Sequence, residues 1–324
     1  MYACIDLGSN SFHLLIAEWQ DGRSQIVERF SSIVQLGEGV PLTGEISPAA
    51  FARGIDCLRE FAAAMARHPV RRYWALGTNA LRLARNAPEF LAQAKELGLD
   101  VSVISGYQEA ILVYAGVLSG LPSSDATRMV IDIGGGSTEV IIGSGELRHV
   151  TQSLPIGCVS WRDRFFKPLP TDAAALEGLL ATATAEAEKV FAGVRDDVLR
   201  YPCTEIYASS GTAKMLSLVC QQGGYTDSDG GITLAALQRL KADVIACAAD
   251  PELLLPGLKD RRKDLLMPGW AVLTGLMQTF DLQHITFSPT ALREGMLEFM
   301  MRKGTDTSLL DGDTLPRISR QPAL

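Results

Sequence analysis

Ile131-Asp132-Ile133-Gly134-Gly135-Gly136-Ser137 decides how this chain is read, because Ile5-Asp6-Leu7-Gly8-Ser9-Asn10-Ser11 lines up with it. The offset, 132 − 6, is 126 residues. Each copy is an apolar strand, an aspartate, a tight turn of small residues, and a second apolar strand (Phe12 to Trp19; Val140 to Ile142). A repeat of this kind changes the whole assignment of fold, so it is weighed first.

Beyond each hairpin the two halves also run in parallel. Gln25 to Val34 reads as a third strand. Ser47-Pro48 opens a helix, with serine as N-cap and proline in the first turn. Phe51, Ile55, Leu58, Phe61 and Met65 then recur at helical spacing, and His68-Pro69 ends the run. A strand at Tyr73 to Leu76, a helix at Pro88 to Leu97, a strand at Val101 to Ile104 and a helix from Tyr107 to Ser119 complete the first half. The second half has strands at Arg128 to Ile133, Leu147 to Ser153, Glu205 to Ala208 and His284 to Phe287. Its helices are expected at Asp172 to Leu199, Thr212 to Gln221, Thr233 to Ala249 and Leu265 to Phe280, with a last one at Ala291 to Met301. Two βββαβαβα-type units in tandem are an α/β duplication. The expected division is 1–124 and 125–290, with the helix at 291–303 a candidate to pack back on the first domain and 304–324 a polar tail. Such a pair is expected to take its ligand in the interdomain cleft.

Composition narrows the ligand. The 324 residues amount to about two domains at roughly 150 residues each. With 30 Lys and Arg against 37 Asp and Glu the net charge is −7, which argues against general nucleic-acid or anionic-membrane binding. A polyanionic ligand then needs local positive charge or a metal. No apolar run approaches the ~18 residues of a membrane helix. Asp6 interrupts the place of a signal peptide, so the chain reads as cytoplasmic. Six cysteines without a CxxC read as reduced, mostly buried thiols. Four histidines without an HxxxH or HD pair argue against zinc and HD-type hydrolases.

Two matched glycine-serine turns suit phosphate. Glycine allows close approach and positive φ, and successive N–H groups form an anion-binding concavity. Gly8, Ser9, Asn10 and Ser11 form one candidate cradle, and Gly134, Gly135, Gly136, Ser137 and Thr138 the other. A single such turn is better read as a hairpin connection; two with an aspartate entering each favour phosphate. There is no GxxxxGK[ST], no helix directly after the glycines and no GxSxG, which argues against a Walker A loop, a Rossmann fingerprint and a serine hydrolase. Asp132 and Glu139 flank the second turn and suit Mg²⁺, a cation held by one or two carboxylates together with phosphate oxygens and water. The plainer role of Asp132 and Asp6 is turn capping. Position 13, the counterpart of Glu139, is His13 and reads as a packed residue.

Glu109 is the candidate for chemistry. Ser105-Gly106-Tyr107-Gln108 reads as a capping box, and Glu109 comes next in the first helical turn, at the C-terminal end of a strand where open α/β sheets bind ligands. A carboxylate there can take a proton from water attacking phosphorus. By position alone it is equally a surface glutamate favoured by the helix dipole. Arg82 has the fork for phosphate oxygens, although position alone favours a solvated helix arginine. Lys259, Arg261, Arg262 and Lys263 read as a solvated loop at least as well as a steering patch. Ser209-Ser210-Gly211-Thr212 reads as an anion contact or as a capped helix start.

Together the segments 6–13, 77–82, 104–110 and 131–139, with Pro155 to Ser160, Ser210 to Thr212 and Ala291 to Gly295, resemble the exopolyphosphatase/guanosine-pentaphosphate phosphatase (Ppx/GppA) family over about Tyr2 to Met300. The resemblance implies an actin-like ATPase (ribonuclease H-like) fold. It implies Mg²⁺-dependent removal of terminal phosphate from inorganic polyphosphate, or of the 5′ γ-phosphate from guanosine pentaphosphate. It implies Glu109 as catalytic base, Asp132 and Glu139 beside the metal, and Arg82 as a phosphate contact. A homodimer is a further implication of the family alone. The sequence departs from the pattern at Gln108, where the family has the first of two glutamates; longer members also carry a C-terminal helical HD-like extension beyond the segments matched here, so processivity is not expected from these residues alone. An actin-fold kinase and a non-catalytic polyphosphate or nucleotide sensor are the alternatives from other classes.

Overall fold

The computed structural model describes residues 1–20, 23–226, 231–302, 315–316 and 318–320. The first hairpin starts a mixed sheet. β1 (Tyr2–Leu7), β2 (Ser11–Gln20) and β3 (Arg23–Ile33) form an antiparallel meander. After α1 (Val40–Thr43) and α2 (Pro48–Ala66), β4 (Arg72–Gly77) runs parallel to β1. After α3 (Asn79–Leu83) and α4 (Ala87–Glu96), β5 (Val101–Val103) runs parallel to β4 and leads into α5 (Gly106–Ser119).

The second hairpin repeats this plan. β6 (Thr127–Ile133), β7 (Thr138–Ser144) and β8 (Leu147–Leu154) form a second meander. Beyond α6 (Cys158–Phe165), α7 (Ala173–Ala192) and α8 (Arg195–Leu199), β9 (Glu205–Ser209) runs parallel to β6. Then come α9 (Ser210–Gln222), β10 (Gly231–Thr233), α10 (Leu234–Ala249), a 3₁₀ turn at Asp260–Leu265 and α11 (Leu266–Thr279). β11 (His284–Phe287) lies parallel to β9, and α12 (Leu292–Arg302) and β12 (Ser319–Arg320) come last. The strand orders β5-β4-β1-β2-β3 and β11-β9-β6-β7-β8 are the same order twice. This is the duplicated actin-like arrangement. Two compact units result, Met1–Ser119 with Thr290–Leu324, and Gly120–Pro289.

Period-two burial fixes the register of each meander. In the first unit Ala3, Ile5 and Leu7 share a core with Phe12, Leu14 and Ile16, closed by Ile55, Leu58 and Phe61 of α2 and Phe90 of α4. Ser47 Oγ accepts from Ala50 N and Pro48 sits in the first turn, as α2's opening residues require. α5 and α12 touch backbone to backbone: a Cβ on Gly116 would collide with the Ala291 carbonyl, and one on Gly295 with that of Leu112. In the second unit Met129, Ile131 and Ile133 pack with Leu176, Leu180, Leu273 and Leu276.

Three expectations change. The long helix at Asp172 to Leu199 is two helices, because the backbone of Gly193 ends α7 before α8 begins. α1, α3 and α6 add helices and β10 a strand to those expected; half of Cys158–Phe165 in α6 is polar or charged and carries little helical period. Within the expected polar tail, Leu315 is buried and Ser319–Arg320 pair antiparallel with Arg72 and Tyr73, adding a short strand beside β4; the tail's remaining positions, 304–314, 317 and 321–324, lie outside the described residues. All six cysteines are free thiols, five of them buried.

Candidate active site

Each glycine turn closes with the same bond: Gly8 N donates to Ser11 O at 3.2 Å, and Gly134 N to Ser137 O at 2.9 Å. The carbonyls of both turns are taken by the chain just past the third strand of each meander. Asn10 O accepts from Val34 N and Gln35 N, and Ser9 O from Gly37 N. Gly134 O accepts from Cys158 N, and Gly135 O from Val159 N and Ser160 N. Among the described residues the amides of Ser9, Asn10, Gly135, Gly136 and Ser137 donate to no backbone acceptor. With carbonyls turned inward and N–H groups unspent, each turn has the polarity of an anion cradle. Positive φ, expected from the glycines, is not the reason for them: none of Gly8, Gly134, Gly135 and Gly136 has it. Close approach is. A Cβ on Gly157, at the start of α6, would lie 2.5 Å from Gly135 C and Gly136 N.

Beside the second turn, Asp132 and Glu139 are direct cross-strand partners, and so share one face of the sheet. Ser209 is Asp132's partner on β9, and Ser153 is Glu139's partner on β8. Ser209 Oγ donates to Asp132 Oδ2 at 2.8 Å, and Ser153 Oγ to Glu139 Oε1 at 2.7 Å. Two carboxylates are therefore steadied by hydroxyls at the edge of a phosphate-type turn. This donor set fits Mg²⁺, which needs few protein ligands when phosphate supplies others. No group of three or more His, Cys, Asp or Glu suited to a metal occurs among the described residues. Ser137 and Thr138 are buried, and Thr138 Oγ1 donates to Ile156 O at 2.6 Å, so Thr138 anchors the turn.

In the first unit, the turn, Arg82 and Glu109 are joined. Ala80 N of α3 donates to Ser9 Oγ at 3.2 Å, which ties the helix bearing Arg82 to the turn. Arg82 Nη1 donates to Glu109 Oε2 at 2.7 Å and to Ile104 O at 2.9 Å. Both hydrogens of Nη1 are thereby used, leaving Nη2 and Nε for an anion. The capping box is present: Ser105 N donates to Gln108 Oε1 at 2.8 Å, and Gln108 N to Ser105 Oγ at 3.1 Å. It points Glu109 from the next position of α5. The Glu109 side chain is 12% exposed. Burial raises its carboxyl above the usual value, and Arg82 pulls the other way without cancelling it. The solvated-arginine and surface-glutamate alternatives for Arg82 and Glu109 do not hold, because both are largely buried in one ion pair.

Sequence reasoning undervalued Arg262. It belongs to the 3₁₀ turn rather than to a solvated loop, and its guanidinium packs on the Cα of Gly211 in the first turn of α9. Burial pulls its pKa below the usual arginine value. Among the described residues its guanidinium makes no hydrogen bond or ion pair, while its backbone N donates to Lys259 O at 2.8 Å. Its neighbour Asp264 is engaged by Arg162 Nη1 at 2.5 Å. Ser210, adjoining Gly211, has φ 88 and donates through Oγ to Ile133 O, next to Gly134. A left-handed non-glycine residue at this point is the sort of strain found at functional sites. The signal in the sequence is an arginine between two aspartates, which is too common to single out.

The Ppx/GppA phosphatase family model matches residues 15–303. The chain belongs to the Ppx/GppA phosphatase family. Among solved structures the chain is similar to an exopolyphosphatase from Cytophaga hutchinsonii, 27% identical over 93% of this chain and 98% of that one, with a TM-score of 0.82. A member from Aquifex aeolicus is 28% identical over 93% and 97% of the two chains, with a TM-score of 0.72. An exopolyphosphatase-like protein, 23% identical over 93% and 98%, shares the fold with a TM-score of 0.79. Among the described residues no helix is long and apolar enough to cross a membrane.

Proposed function

We propose that this Ppx/GppA phosphatase is an exopolyphosphatase that hydrolyses the terminal phosphate of inorganic polyphosphate with Mg²⁺, Glu109 acting as general base. The observation that carries the reading is the buried Arg82–Glu109 pair, a carboxyl raised by burial beside a guanidinium with N–H groups to spare. A carboxylate whose pKa lies above its usual value accepts a proton more readily than an ordinary one.

In this reading Glu109 takes one proton from a water whose oxygen bonds to the terminal phosphorus, while the bridging P–O bond breaks and its electrons leave with the shortened chain. Arg82 holds a phosphoryl oxygen and keeps Glu109 aimed. The unspent amides of Ser9 and Asn10 in the first turn and of Gly135, Gly136 and Ser137 in the second are the ones to donate to phosphate oxygens, and Arg262 adds charge beside the second turn. Asp132 and Glu139 hold Mg²⁺, which when bound offsets charge on the phosphoryl oxygens. Preorganised donors of this sort are worth most where charge accumulates in the transition state.

The test is phosphate release from long polyphosphate, tripolyphosphate, guanosine pentaphosphate and ATP, with and without Mg²⁺, for wild type and Glu109→Gln. Polyphosphate should be turned over only with Mg²⁺, and the variant should lose about 10²–10⁴-fold in kcat. Near-normal turnover by a folded Glu109→Gln would remove Glu109 from this role, and faster release from guanosine pentaphosphate would reassign the substrate.

A further inference from the structure

The duplication lets the two turns be compared position by position. The row across the second sheet is Ser209, Asp132, Glu139, Ser153. The row at the same place in the first sheet is Leu76, Asp6, His13, Ser31. The second row places two carboxylates directly opposite each other, an arrangement that like-charge repulsion disfavours unless positive charge offsets it, and Glu139 is 1% exposed. The first row sets one carboxylate opposite an imidazole and exchanges a serine for leucine. Carboxylate oxygens suit Mg²⁺ and Mn²⁺, whereas imidazole suits softer transition metals. Yet the first turn keeps its anion-binding features: the Ser9 and Asn10 amides donate to no backbone acceptor, and Asn10, 8% exposed, has a buried side-chain Oδ1 without a partner. Ser11 Oγ, which receives Asn10 Nδ2 at 3.2 Å, can donate as well as accept, so a turned amide offers Nδ2 to an anion.

We infer that the two turns divide the electrostatic work: the Gly134–Thr138 turn carries a divalent cation, the Gly8–Ser11 turn holds phosphate with no cation of its own, and residue 13 sets the difference. The inference rests on the reading of Asp132 and Glu139 as the Mg²⁺ ligands. It treats His13 as the residue that withholds a second metal site, rather than as packing alone.

Mn²⁺ binding, followed by the paramagnetic signal of free Mn²⁺ with and without inorganic phosphate, tests it without reference to turnover. Wild type should bind about one equivalent, Glu139→His close to none, and His13→Glu about two, since the variant rebuilds the two-carboxylate row. Circular dichroism melts establish that each variant is folded, and His13→Asp serves in place of His13→Glu if the longer side chain is not accommodated. Two equivalents in wild type, or one in a folded His13→Glu or His13→Asp, would overturn the inference. No Mn²⁺ bound by wild type under either condition would instead sink the cation reading of Asp132 and Glu139, and the inference with it.

Discussion

Gly157→Ala is the substitution whose consequence is most directly worked from distances. The new Cβ would stand 2.5 Å from Gly135 C and Gly136 N and 2.6 Å from Gly135 O. Ordinary contact begins at 3.4 Å, so the turn and the start of α6 must separate by about 0.9 Å. All three opposing atoms are backbone, and no side chain can swing aside. The bonds from Cys158 N, Val159 N and Ser160 N into the turn must lengthen together. Overpacking of this degree costs about 1–3 kcal/mol. The functional loss should be larger in proportion, because misplacing a preorganised group by about 1 Å can cost about 10²-fold in rate. The assay is kcat/KM for phosphate release from polyphosphate beside a thermal melt. A variant that is clearly folded and retains wild-type kcat/KM would refute the argument that α6 sets the position of the second cradle.

Arg82 lowers the raised Glu109 pKa, so Arg82→Ala should raise it further; the base must be ionised to act, and the acidic limb of the kcat/KM profile should move to higher pH, an unmoved limb separating Arg82 from Glu109. Arg262→Met should raise KM by about ten- to a hundredfold, the worth of a charged hydrogen bond, while the melting temperature holds or rises because no protein partner is lost; an unchanged KM would return Arg262 to packing. Gly116→Ala should cost about 1–3 kcal/mol or more in a denaturant melt, and a loss below that would mean that α5 and α12 can part cheaply.

The fold was largely legible because its decisive signals are local. The two hairpins, the Ser47 cap and the Ser105–Gln108 box each lie within a few residues. Gly193 interrupts an alanine-rich stretch whose composition otherwise argues for one helix. The site was legible only as separate parts. Glu109 and Arg82 lie 27 positions apart, and neither carries a mark of the other, so each alone resembles a solvated side chain. Arg262 is hidden for a related reason: only the fold lays it on Gly211. Conformational freedom is what a sequence suggests for a glycine, whereas Gly157 is needed because a neighbouring backbone leaves no room, which a single sequence does not record.

The seam between α5 and α12 also governs the order in which the chain can mature. Domains generally fold as they leave the ribosome, but the helix that meets Leu112 and Gly116 of α5 is made only after the whole of Gly120–Pro289. Gly120–Pro289 can reach its final form while Met1–Ser119 still waits for Gly295 to slide against Gly116. The half synthesised first is finished last, and a nascent chain stalled before Thr290 is left with an uncovered greasy helix that quality-control factors can grasp.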